Sequence, residues 1–155
     1  MGLKVYKLAY EKLLERIVGE RNLIRATFYG SRKVPEDPNQ IDFFNVLRKK
    51  DIMVRTFDLK KRFDSKTGRD REFEKGVDVA LVTDMLNLAL KKVIGTAILV
   101  SGDSDYISAI NIIINEGVNV EVVAFQCTLG PDWIEQQVKV ILINDFAEEV
   151  ELYSE

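Results

Sequence analysis

The stretch AILVSGDSDYISAI, Ala97–Ile110, sets two aspartates, Asp103 and Asp105, where an apolar run turns polar and then becomes apolar again. The run TAILVSG follows Gly95, is short and continuous, and suits a strand buried on both faces. From Ser104 to Glu116 the spacing predicts a helix, stopped by Gly117 as a C-terminal cap. A strand leading straight into a helix is the repeating half of an α/β sheet.

Working outward, the same alternation continues in both directions. Leu3, Tyr6, Tyr10, Leu13, Leu14 and Ile17 recur at three-to-four spacing, which predicts an amphipathic helix over Leu3–Val18. LIRATFY, Leu23–Tyr29, has strand composition, and SRKVPEDPNQ after it reads as a loop. A short helix is expected over Asp42–Lys50, then a strand over Ile52–Leu59, then the charged segment KKRFDSKTGRDREFEKG with a turn at Ser65–Gly68. A helix over Val77–Val93 leads to the AILV strand. Beyond Gly117 come a strand, Val118–Phe125, a short helix in GPDWIEQQ with Pro131 in its first turn, and a last strand in VILI. The acidic tail is expected to fray. This order predicts one domain over residues 1–155, a Rossmann-like α/β sheet that is mostly parallel and has helices on both faces.

Composition narrows the chemistry. The chain has 155 residues and a net charge of −3, so wholesale electrostatic attraction to nucleic acid or membrane is not indicated, although a local basic patch remains open. It contains no histidine, which excludes Ser-His and Cys-His couples and His-ligated zinc. Cys127 is the single cysteine; it permits no intrachain disulfide, suits a reducing compartment, and reads as a small buried hydrophobe. No apolar run approaches the ~20 residues of a membrane span, and the amino terminus lacks a signal-peptide core, so a cytoplasmic protein with no membrane partner is expected.

Acid, base or metal chemistry must therefore use carboxylates. In an open α/β sheet the carboxyl ends of the strands build the ligand site. Asp103 and Asp105 leave the AILV strand there, and Asp78 starts the preceding helix, so all three are expected on one rim. Converging carboxylates repel one another unless a cation lies among them. Mg²⁺ or Mn²⁺ suits such a site, because it takes oxygen ligands, keeps waters and accepts phosphate oxygens. The competing reading is structural: Asp103 caps the next helix, Asp105 favours its dipole, and Asp78 does the same for its own helix. Asp84 lies six residues beyond Asp78, ~9 Å along the helix and on a different face, which makes it the weaker candidate.

Read together, EKGVDVALVTDML, Glu74–Leu86, and AILVSGDSDYISAI resemble the paired signatures of the NYN domain, specifically its LabA-like (DUF88) branch within the PIN-like nuclease superfamily. The YG ending of the first strand, the charged excursion before KGVD and the strand after the SGDSD helix follow in the same order, so the likeness covers nearly the whole chain. It implies a three-layer α/β/α sandwich, an acidic site for Mg²⁺ or Mn²⁺, and ribonuclease activity on RNA. It also implies that the acidic positions are Asp78, Asp84, Asp103 and Asp105, with Lys75, Ser101 and Ser104 as polar companions. In one respect the chain departs from the family. Members begin with a strand ending in an Asp-x-x-Asn-like motif, and residues 1 onward match the helix after it. Either the start is placed too late, or a catalytic ligand is lost, or another chain completes the sheet; the expectation is weakened catalysis, with open strand edges that favour instability, unusual pairing or a homo-oligomer.

The charged segment carries Lys60, Lys61, Arg62, Lys66, Arg69 and Arg71, interleaved with Phe63 and Phe73. These could track an RNA backbone and stack on bases, although Asp64, Asp70, Glu72 and Glu74 dilute the charge and a solvated hairpin is the simpler reading. Trp133 could likewise stack on a base or simply pack. Two functions follow: a metal-dependent ribonuclease using Asp78, Asp103 and Asp105, or an impaired module of the same fold that binds RNA or protein. Receiver-type phosphorylation of Asp58 and phosphatase chemistry at the DxD fit the element order less well.

Overall fold

The structure, a computed structural model, describes residues 7–152. The chain divides into two compact units, one formed by the chain up to Ile17 together with Val82 onward, the other by Val18–Leu81. The expected α/β class with mostly parallel pairing is found: among the described residues, five strands lie in parallel ladders, two in one sheet and three in another, and two form one antiparallel hairpin.

In the Val18–Leu81 unit, strand β1 (Thr27–Arg32) pairs in parallel with β2 (Met53–Asp58). Helix α2 (Pro38–Lys49) connects them, longer at its start than the sequence pattern suggested. Its first turn explains the extension. Asp37 accepts a hydrogen bond from the Asn39 amide at 2.9 Å, and Pro38 supplies a first position that needs no N–H partner. The Lys33 ammonium, 2.8 Å away, and that amide hold the Asp37 carboxyl below the usual carboxylate range. Phe44 and Leu47 are the buried residues of α2, and Phe28 meets Phe43 edge-on at 5.4 Å between ring centres.

Strand β1 begins later than Leu23. Leu23 and Ile24 are exposed, and the ladder starts only where the Ala26 carbonyl accepts the Met53 amide. After β2, the charged segment forms an antiparallel hairpin, β3 (Lys60–Asp64) and β4 (Arg69–Phe73). Its turn closes through the amides of Lys66, Thr67 and Gly68, all of which donate to Asp64. Gly68 has φ +66°, a conformation that favours glycine. Helix α3 (Val77–Leu90) follows, and the boundary between the two units falls within it.

In the other unit, β5 (Thr96–Val100), β6 (Asn119–Ala124) and β7 (Lys139–Leu142) form a parallel sheet in that order. The strand buried on both faces is β6, not β5 as expected. From Val120 to Ala124 every residue of β6 is buried, because β6 has ladder partners on both sides. On β5, Ala97 and Leu99 are buried while Val100 is exposed; among the described residues its only ladder partner is β6. Helix α4 (Ile107–Asn115) lays Ala109, Ile110 and Ile113 into the core and ends at Gly117, φ +83°.

Helix α1 (Tyr10–Val18) starts later than the spacing suggested, and Leu3 and Tyr6 lie outside the described residues. Residues 7–9 are not helical. Leu8 forms an antiparallel bridge with Glu151, and the Ala9 amide donates to the Val150 carbonyl at 2.9 Å. The tail therefore docks up to Leu152 instead of fraying. Helix α5 (Ala147–Val150) buries Val150 completely, and Arg16 of α1 reaches both Glu149, at 3.1 Å, and the face of the Phe146 ring, at 4.8 Å. Burial pushes the Tyr10 phenol pKa up. Among the described residues, no helix is long and apolar enough to cross a membrane.

This division of burial sets a stability contrast. Ile113→Ala should lower unfolding free energy by about 2–5 kcal/mol in urea titrations, whereas Ile24→Ala should change it by about 0.5 kcal/mol or less.

Candidate functional site

The turn leaving β5 is fastened by one carbonyl. The oxygen of Gly102 accepts a hydrogen bond from the Gly130 amide at 2.8 Å and another from the Trp133 indole Nε1 at 3.0 Å. Both partners come from the loop after β6. The approach is possible only because both positions are glycine: a Cβ on Gly102 would overlap the Thr128 carbonyl, and one on Gly130 would overlap the Ser104 hydroxyl. Trp133 is 1% exposed. Its ring is an anchor for this turn, and the base-stacking reading of Trp133 is overturned.

On that anchored turn the polar groups are arranged by local hydrogen bonds. The Asp103 amide donates to the Ser101 hydroxyl at 3.3 Å, and Asp103 Oδ1 accepts the Asp105 amide at 2.9 Å. Asp103 is thus the N-cap of a single 3-10 turn, Ser104–Tyr106, which runs into α4 with Tyr106 buried beneath it. The capping role foreseen for Asp103 is real, yet it uses one carboxylate oxygen. Asp103 and Asp105 are exposed, Ser101 and Ser104 half-buried, so oxygen donors cluster within five residues at the carboxyl end of a parallel strand.

This donor set suits a hard divalent cation. It offers only oxygen, and a hydrated Mg²⁺ or Mn²⁺ commonly takes one or two protein carboxylates and leaves its other positions to water and phosphate. Among the described residues, no group of three or more Asp, Glu, His or Cys side chains is arranged to hold a metal ion by itself. The turn carries two exposed carboxylates, Asp103 and Asp105, one residue apart in the chain.

The remaining candidates lie on or near α3. Asp78 is exposed in its first turn, Asp84 is half-buried farther along, and Lys75 is exposed just before Gly76, which has φ +91° and packs against Phe57. Lys75 and Asp78 belong to the Val18–Leu81 unit; Asp84 and the Ser101–Asp105 turn belong to the other. Of the basic candidates, Lys60, Lys61, Arg62, Arg69 and Arg71 are exposed along the hairpin, and Lys66 sits in its turn.

Two other sequence readings change. Cys127 is exposed, not a buried hydrophobe, because it falls in the 3-10 turn Gln126–Thr128, after the chain has left the core strand β6. Asp58 is engaged by Arg32, whose Nε and Nη2 lie 2.8 Å and 2.7 Å from its Oδ1, across the register that pairs these two residues on β1 and β2. A structural ion pair accounts for this carboxylate. The Gly102–Gly130–Trp133 fastening was not read from the sequence, although GPDW, three residues after Cys127 and rich in turn formers, carried its signal.

Comparison with known proteins agrees with this architecture. The sequence profile of the NYN domain matches residues 3–143. The fold is similar to the crystal structure of a protein of unknown function from Vibrio parahaemolyticus, with a TM-score of 0.70 at 21% identity, covering 95% of this chain and 83% of that one. No curated protein matches the chain.

The turn makes separable predictions. Trp133→Phe keeps the packing but deletes the indole donor and should cost about 1 kcal/mol. Asp103→Ala should also cost about 1 kcal/mol by removing the cap, whereas Asp103→Asn retains an acceptor and should melt within a degree or so of the native protein in calorimetry.

Proposed function

The chain belongs to the NYN domain family, and we propose that it is a metal-dependent ribonuclease of the LabA-like branch, hydrolysing RNA phosphodiester bonds with Mg²⁺ or Mn²⁺. NYN domains are a PIN-like nuclease family, which supports phosphodiester chemistry as the class of reaction. The observation that carries the reading is the anchored turn at the end of β5, with two exposed carboxylates on a backbone that has little freedom to move.

When bound, the cation would supply a Lewis acid and lower the pKa of a coordinated water. Asp103 offers the oxygen that is not used in capping, and Asp105 offers its carboxylate from the first turn of the following helix. Ser101 fixes the Asp103 backbone through its hydroxyl, and Ser104 packs against Gly130 so that the turn keeps its shape. Fixed acceptors of this kind act without reorganising during the reaction. Asp78 and Asp84 are assigned the other acidic positions of the family motif, and Lys75 the role of a partner to phosphate or to a carboxylate. With no histidine in the chain, the carboxylates of the family motif and Lys75 are assigned the handling of protons.

A second reading has its own support. Asp103 already spends one oxygen on the Asp105 amide, a use that a purely structural N-cap would share. In that reading the fold persists as a regulatory module that binds RNA or protein, in the cytoplasm, without cleaving.

The two readings separate in a cleavage assay. End-labelled single-stranded RNA should be cut in Mn²⁺ or Mg²⁺ and left intact in EDTA, and Asp103→Asn/Asp105→Asn should lower the rate about 100-fold or more. Asp78→Asn should produce a comparable loss. Metal-independent cleavage, or equal rates in the double variant, would exclude the assignment; no cleavage by any form would favour the binding module.

A further inference from the structure

The hairpin of the Val18–Leu81 unit sorts its charges by face. In the antiparallel register Lys60 stands opposite Phe73, Arg62 opposite Arg71, and Asp64 opposite Arg69. Residues directly opposite share a face, and alternate residues on each strand share it too. One face therefore carries Lys60, Arg62, Arg69 and Arg71, four cations against the single carboxylate of Asp64. The opposite face carries Lys61 with Phe63, Asp70 and Glu72, one cation against two carboxylates. A linear reading of the segment averages these faces to a diluted charge; the pairing separates them.

Three observations show that the basic face is built for something outside the unit. Arg62 lies directly across from Arg71, and like charges in that position oppose strand pairing. Neither arginine, nor Lys60 or Arg69, has an ion-pair partner among the described residues. The one carboxylate on the face, Asp64, lies at the tip, where its Oδ1 accepts the Lys66 amide at 2.9 Å, so four cations face a single negative charge held at one end. The Lys33 ammonium is paired with Asp37 at 2.8 Å, and Glu72 of the other face adds a smaller upward push to its pKa. An isolated two-stranded hairpin is marginal in water, and this one keeps a repulsive central pair. An anion between the two guanidinium groups would relieve that repulsion.

We propose that the face formed by Lys60, Arg62, Arg69, Arg71 and Phe73 binds the sugar–phosphate backbone of single-stranded RNA, with Phe73 stacking on a base. Successive cations on one strand are two residues apart, about 6.8 Å, giving two short rows of positive charge that a flexible polyanion can follow. Phe73 stands at the end of those rows, is 40% exposed, and offers a sequence-tolerant surface. Of the six basic candidates on this segment, Lys61 faces the other way and Lys66 lies in the turn; neither contributes to the rows. The assignment rests on RNA being the substrate, and it concerns binding, not cleavage.

Its test is the salt dependence of binding, measured by fluorescence anisotropy of a labelled single-stranded RNA with the full chain in EDTA, where metal-dependent cleavage cannot contribute. Each lost phosphate contact should reduce the slope of log K against log[salt] by about 0.7, so Arg62→Gln/Arg71→Gln should reduce it by about 1.4. Arg62→Lys/Arg71→Lys should keep the native slope, and Lys61→Gln should leave it unchanged. Phe73→Ala should weaken binding about fivefold or more with the slope intact. These exposed substitutions should leave the circular dichroism spectrum and melting temperature as in the native chain, or raise the latter where the Arg62–Arg71 repulsion is removed. An unchanged slope in the arginine double variant, a reduction of equal size in Lys61→Gln, or no RNA binding by the native chain would overturn the proposal. Binding of poly-glutamate through the same arginines without RNA binding would overturn it in favour of an acidic protein partner. If binding behaves as expected while no RNA is ever cut, this face stands and the nuclease assignment falls.

Discussion

A single backbone carbonyl, that of Gly102, holds the loop after β6 against the turn after β5. Two donors converge on it, an amide and an indole N–H, and the close backbone packing beside it needs glycine at both 102 and 130. A buried acceptor with two good partners is costly to disturb, because a lost donor leaves part of its desolvation uncompensated. The consequence is local rigidity where an acidic turn would otherwise be flexible. Asp103 and Asp105 then project from a backbone constrained below by β5, behind by Trp133 and ahead by α4.

That arrangement shows how capping and chemistry coexist in one residue. Asp103 starts the helix by accepting the Asp105 amide, and in doing so its carboxylate is oriented and keeps a second oxygen for other use. A carboxylate held in this way needs no large change in structure to receive a cation. The hairpin on the other unit follows a different logic. It buries almost nothing, and its form is set by a tight turn and by strand pairing, leaving its side chains to solvent and to partners.

Much of this was legible in the sequence, and the failures have physical causes. Strand–helix alternation, the cap at Gly117 and the strand ending at the DxD depend on local signals, and they are found where the pattern placed them. The tail does not fray because its docking depends on residues far away: the Val150 carbonyl accepts the Ala9 amide and the Phe146 ring lies under Arg16 of α1, contacts that no stretch around residue 150 can reveal. Burial of β5 on both faces was expected from its apolar run, but the number of ladder partners decides burial, and β6 has two. Cys127 was judged by residue type alone, whereas its place in a turn beyond β6 determines its exposure. The contact of Trp133 with Gly102 spans 31 residues, so the sequence showed a turn and an aromatic without showing what they met. For the hairpin, composition gave a mixed charge, and only the register separates a basic face from an acidic one.

The central claim is that the turn Ser101–Asp105 is a cation platform, not solely a helix cap. Its most direct test is titration of the metal alone, following free Mn²⁺ by electron paramagnetic resonance in the native chain and in Asp103→Asn/Asp105→Asn, which preserves the acceptors but removes the charge. Saturable Mn²⁺ binding that weakens about 10- to 100-fold in the double variant, with the fold unchanged, is the predicted result. Equal binding by the two proteins, or none by the native chain, would contradict the account and leave the two aspartates as capping residues.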